Sequence, residues 1–180
     1  GVHLRLDGLS ALLLVFINLI GLVMSLYAVQ YMRLYTSKFR YYILYLLLIA
    51  GLNGVVLSGD LFNIFIFMEL ATIASYALVA FGCDHEELEA AFKYALLGGL
   101  GSAFIMIGIA LTYGLTGNLD LGRIAQHFAS ASLAGLPRSW MLALTLLVCG
   151  FALKTALVPF HAWLPDAHPS APAPVSATLS

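Results

Sequence analysis

The sequence predicts an all-α, polytopic membrane helix bundle, and three observations predict it. Apolar residues make up 62% of the 180 residues and charged residues only 9%, against roughly 25% charged residues in a soluble domain. The apolar residues fall into runs of about 20, the length that crosses a bilayer. One of these runs, GDLFNIFIFMELATIASYALVAFG over 59–82, carries one carboxylate near its middle, Glu69. A mean hydropathy of +0.97 agrees. So few charges cannot dress a soluble surface. The net charge of −1 comes with no basic patch that would point to a nucleic-acid partner.

Taken in order, the first predicted span covers about 9–32, interrupted only by Asn18, Ser25 and Gln30. A hydrophilic turn, RLYTSKFR, leads to a second span over about 41–57. Only Ser58, Gly59 and Asp60 separate this from the Glu69 span, about 61–81, so the two should lie antiparallel and adjacent. The acidic stretch CDHEELEA follows, with Asp84 as N-cap and Glu87 placed to complete a capping box. It opens a span over about 88–115. In that span Gly98 with Ser102, and Gly99 with Ala103, have the small-xxx-small spacing of close helix packing. A more polar stretch carries Leu121, Ile124, Ala125 and Phe128 on one helical face, which predicts an amphipathic helix over about 119–131 lying on the bundle or at the interface. The fifth span, about 140–158, runs into Pro159, which removes a backbone donor and breaks the helix. The following FHAWLPDAHPSAPAPV suits irregular backbone, tolerated at membrane depth only when buried or lining a wet cavity. Residues 171–180 read as the start of a further helix. The first residue is Gly1 rather than Met, and no signal-peptide pattern is present. The expectation is one membrane domain belonging to a longer polytopic protein. Arg33, Lys38 and Arg40 form the densest positive cluster, which places that turn, and the acidic 83–89 loop with it, on the cytoplasmic side.

Three ionisable residues sit in or near spans: Glu69, Lys93 and Lys154. A charge near the bilayer centre costs about 2.5–3.5 kcal/mol on insertion scales, so it reads as functional by default. On a helix Thr72 and Tyr76 share the face of Glu69, giving a narrow polar stripe. Lys154 lies roughly 22 Å of helix rise from Trp140, deep and just before the break. Each has a plainer alternative. Glu69 can pair with a lysine purely to dock helices, and Lys93, about a turn and a half into its helix, can snorkel to the interface. His161 and His168 can relay protons near neutral pH or bond the exposed backbone beside Pro159 and Pro165. Nothing in the spacing recommends a metal site from His161, Asp166 and His168, and Cys83 and Cys149 lack any CxxC or CxxH spacing. No cofactor or metal motif is present, so any redox chemistry must belong to another polypeptide.

Three stretches together carry a resemblance: the Glu69 run, then EAAFKYALLGGLGSAFIMIGIALTYGLTGNLDL, then ALKTALVPFHAWLPDAHPSAPAPVSATLS. They resemble the antiporter-like proton-translocating subunits of respiratory complex I, Mrp-type antiporters and membrane-bound group 4 hydrogenases, across essentially the whole chain. The resemblance implies a fragment of a fourteen-helix subunit with two inverted five-helix repeats, each with a broken helix. Here the break would fall near Lys154–Pro159. Glu69 would match the family's charged glutamate, Lys93 the lysine of the next helix, Lys154 the central lysine of the broken helix, and His161 the segment after it. The GDLFN and ELATIASYAL runs resemble the Mrp D and hydrogenase-type branch, and KYALLGGLGSAF and YGLTGNLDL also resemble the complex I N subunit. PFHAWLPDAHPSAPAPVSA favours the Mrp, hydrogenase or complex I M-type branches over N, so the chain looks closest to the Mrp D or hydrogenase-type branch.

The reading is a multi-pass subunit of an ion-translocating complex in the cell (inner) membrane. Protons, or Na+, would pass along Glu69, Lys93, Lys154 and His161. Glu69 would modulate the protonation of Lys154, with Lys93 relaying between them and other membrane subunits as partners. The alternatives are a structural subunit whose buried charges only dock helices, and a secondary transporter of another solute.

Overall fold

In the computed structural model, which describes residues 3–34, 37–129 and 137–180, the chain is an all-α bundle with no strand among the described residues. Its helices are α1 (Gly8–Tyr31), α2 (Lys38–Leu57), α3 (Leu61–Val79), α4 (His85–Thr116), α5 (Leu121–Ala129), α6 (Arg138–Lys154), α7 (Leu164–Ser170) and α8 (Ala173–Leu179). The first four are long and apolar enough to cross a membrane.

Side-chain caps set where two of the long helices begin. Asp7 accepts from the Ser10 backbone N–H and hydroxyl at 2.8 and 3.0 Å. Those bonds, the backbone one first, hold its carboxyl below the usual carboxylate range. Asp60 does the same for α3, accepting from the N–H groups of Phe62 and Asn63 at 2.9 and 3.2 Å. The expected capping box at α4 does not form. Asp84 occupies the N-cap position without a capping bond. The Glu87 carboxylate instead lies over Gly82, where a Cβ would come within 2.5 Å of it. At the far end of α4, Gly117 takes a left-handed φ of 64°, a conformation that costs glycine nothing.

Glycines decide how closely the rods approach. A Cβ on Gly51 would meet the Ala71 backbone nitrogen at 2.7 Å, and one on Gly54 would overlap the Phe67 ring, so α2 and α3 pack backbone to backbone. α4 and α6 meet at Gly101 and Gly150, where a Cβ on Gly150 would lie 2.8 Å from the Gly101 carbonyl. The small-residue spacing on α4 therefore has two fates. Gly98 admits the Tyr76 ring, whereas Gly99 and Ala103 face outward and are exposed.

One end of the bundle gathers the α2–α3 turn, the start of the chain and the lead into α5. Leu61 N–H donates to Leu119 at 2.9 Å, Leu121 N–H to Gly59 at 3.1 Å, and Arg5 N–H to Leu57 at 2.8 Å. On α5, Ile124 and Phe128 are half-buried while Leu121 and Ala125 stay exposed; Phe128 meets the Trp140 ring at 4.5 Å. Residues 130–131, the expected end of this helix, lie outside the described residues.

α6 stops at Lys154, five residues ahead of Pro159. The chain turns at Ala156, whose φ of 52° no helix accommodates. After an irregular stretch over 155–163 it continues as α7, which lies beside the first half of α4. Trp163 closes the gap by donating its indole N–H to the Leu153 carbonyl at 3.0 Å, satisfying one of the open carbonyls at the end of α6. α8 then docks near α1 and α2, with Tyr45 and Thr178 hydroxyls 2.9 Å apart.

Candidate functional site

The site is built where the interrupted helix meets α3 and α4. α3 presents Glu69 and Thr72 on one face, and the Gly101–Gly150 approach brings the last turn of α6 against the middle of α4. Lys154 is thereby carried to Glu69, 85 residues away in sequence, with Nζ 2.6 Å from Oε1. The lysine side chain is 7% exposed and the glutamate 25%. Two hydroxyls complete the cluster. Ser102 donates to the same Glu69 oxygen at 2.6 Å, and Lys154 donates to Thr72 Oγ1 at 3.3 Å. A buried amine and a half-buried carboxylate in contact, each with a hydroxyl beside it, form a pair across which one proton can move without leaving either group stranded.

Lys93 stands elsewhere. Glu69 and Lys154 touch directly, so Lys93 does not lie between them. It sits eight residues before Gly101, about 12 Å along the axis of α4. There it bonds Asp166 of α7 at 2.8 Å and Glu89 at 2.9 Å, with 47% of its side chain exposed. Between the two ion pairs lies an aromatic group. Tyr94 stacks on Trp163 with centroids 4.2 Å apart, meets Tyr76 edge-on at 4.5 Å, and accepts a hydrogen bond from Ser75 at 3.0 Å.

His161 is exposed on the stretch after the break, and among the described residues its side chain forms no hydrogen bond or ion pair with Glu69, Lys93 or Lys154. His168 bonds Ser176 at 3.1 Å, and Asp166 is taken by Lys93. Those engagements separate His161, Asp166 and His168 as a ligand set, and among the described residues no three His, Cys, Asp or Glu side chains gather in metal-binding range.

Two members of this arrangement carry no functional signal in the spacing alone. Ser102 falls among the small packing residues of its helix, yet it is the sole hydroxyl between Tyr94 and Thr112 on a membrane span. Asp166 stands out in the sequence only as a potential metal ligand. Its spacing of three from Trp163, which puts the two on one helical face, is the pattern that ties it to α4.

Residues 58–180 match the transmembrane family described as NADH:quinone oxidoreductase/Mrp antiporter, and residues 1–42 match that of NADH-ubiquinone oxidoreductase (complex I) chain 5, N-terminus. The chain belongs to the NADH:quinone oxidoreductase/Mrp antiporter family. It is 37% identical over 182 residues to the N subunit of NADH-quinone oxidoreductase from Desulforudis audaxviator, covering 100% of this chain and 36% of that one. It is 32% identical over 177 residues to the D subunit of the Na(+)/H(+) antiporter from Alkalihalophilus pseudofirmus, covering 98% and 35%. Among solved structures it superposes with TM-score 0.90 and 35% identity on a chain of the membrane-bound sulfane sulfur reductase, an archaeal respiratory membrane complex, covering 98% and 35%. The chain thus spans about a third of the length of the relatives it matches. These likenesses establish a multi-pass, antiporter-like membrane chain, similar to members of both the N and D branches.

Proposed function

We propose that this chain is part of an antiporter-like subunit that moves protons, or another small cation such as Na+, across the cell (inner) membrane within a multi-subunit complex. The observation that carries the reading is the Glu69–Lys154 contact of 2.6 Å at the point where α6 stops. A charged pair at membrane depth beside broken helical backbone has both a proton to exchange and a place for water to reach it. Lys154 exchanges the proton, and Glu69 biases its protonation by direct contact. Lys93 with Asp166, and His161 on the exposed stretch after the break, serve where the site opens outward. The names of its relatives support translocation coupled either to quinone reduction or to cation exchange. The reacting redox groups, where there are any, belong to partner subunits.

Proton uptake into proteoliposomes holding the full-length complex tests this. Counting only assembled complexes, Lys154→Ala should abolish uptake. Wild-type uptake by assembled Lys154→Ala and Glu69→Ala complexes would leave the pair with a helix-docking role and overturn the proposal.

A further inference from the structure

We propose that Ser102 is the positioning residue of the Glu69–Lys154 pair. Its single hydroxyl proton goes to Glu69 while that carboxylate is ionised and swings to the Gly98 carbonyl when Glu69 is protonated. The inference rests on the pair being a proton site.

A serine hydroxyl carries one hydrogen and two acceptor lone pairs. Two acceptors lie within its reach: Glu69 Oε1 at 2.6 Å and the Gly98 carbonyl at 2.9 Å. Only one can receive the proton at a time. Beside an ionised carboxylate the charge-assisted bond wins, and such O–H···O⁻ bonds are the short ones, about 2.5–2.7 Å. When a proton passes from Lys154 Nζ to Glu69 Oε1, one N–H bond breaks and one O–H bond forms. Lys154 is left a neutral amine, and Glu69 becomes a donor. Where that new O–H is directed at Ser102, the serine accepts it and its own hydrogen turns to the carbonyl four residues back, the local acceptor that serines in helices commonly reach. Both states leave every member bonded, so the helices need not move when the proton does.

Thr72 on the other side of the pair is not equivalent. Its hydroxyl is committed to the Met68 carbonyl at 2.6 Å while it accepts from Lys154 at 3.3 Å, so it serves the ammonium form. Ser102 is also distinct from its small neighbours on α4. Gly98 admits Tyr76 and Gly101 admits Gly150, whereas the Ser102 side chain spends its contact on the carboxylate.

The experiment uses the full-length complex with Ser102→Ala, which keeps the volume small, and Ser102→Thr, which keeps the hydroxyl. Infrared difference spectra report the protonated Glu69 carboxyl band, assigned by its disappearance in Glu69→Gln, and proteoliposomes report proton uptake. Ser102→Ala should move the band to higher frequency and slow uptake roughly ten- to a hundredfold, the range expected for a lost hydrogen bond to a charged group. Ser102→Thr should restore both. An unmoved band in Ser102→Ala overturns the proposal, as does a moved band with uptake unchanged, or a Thr variant that behaves as Ala does. The band is read without any gradient, so it tests the Ser102 contact separately. Normal uptake by Lys154→Ala would sink the translocation reading alone.

Discussion

Two lysine–carboxylate pairs join the interrupted helix to its neighbours, at nearly the same distance and with opposite physics. Lys154–Glu69 closes at 2.6 Å with side chains 7% and 25% exposed; Lys93–Asp166 closes at 2.8 Å with side chains 47% and 43% exposed. Exposed pairs gain little over their hydrated states and are screened by salt. A buried pair is a poor source of net stability, yet removing one partner strands a charge that neither lipid nor protein can solvate. Contact geometry alone therefore does not rank these pairs. The surroundings do: on the function proposed above, the inner pair is where the proton is exchanged, and the outer pair holds α7 to α4 where the site opens outward.

The largest test of that contrast removes one member of the inner pair. Lys154→Ala should destabilise the solubilised complex by about 3–5 kcal/mol, read as a lowered unfolding midpoint. The neutral double replacement Lys154→Met with Glu69→Gln should recover most of this while proton uptake stays lost. Recovery of uptake as well would erase the distinction between the pairs.

A smaller effect comes from the helix approach that delivers Lys154. A Cβ on Gly101 would stand 3.1 Å from both the Gly150 carbonyl and Leu153 Cβ, and 3.5 Å from Lys154 Cγ. Gly101→Ala should cost about 1–3 kcal/mol by overpacking and slow uptake, by easing α6 off α4. Gly99→Ala, with nothing within 4 Å of its Cβ, is the control and should change neither.

The outer pair should respond least. Lys93→Gln should leave the unfolding midpoint unchanged within error. Hydrogen exchange in 164–170 should quicken both in this variant and in wild type at about 1 M salt, where the screening length falls to about 3 Å. Salt that also detached Lys154 from Glu69 would show the inner pair to be as open as the outer one.

Much of this is legible along the chain. Glu69 and Lys154 announce themselves because ionisable groups are rare in apolar runs, and the break announces itself through Pro159 and Pro165. The capping pattern at Asp84 misleads because a sequence pattern cannot show Glu87 turned towards Gly82. Ser102 is illegible because its size fits close packing as well as its hydroxyl fits a carboxylate. Sequence order sets Lys93 between Glu69 and Lys154, although order says nothing about which side chains touch.

By itself the sequence determined the class of the molecule, since hydropathy and charge rarity are properties of local runs and the bilayer reads them locally. It also determined which ionisable groups had to be accounted for. Only the tertiary structure decided the partners. Which lysine meets Glu69, and which hydroxyl stands beside it, depends on glycine-mediated contacts such as Gly101–Gly150 that set the depth and rotation of α6 against α4, and these are fixed by packing between segments far apart in the chain.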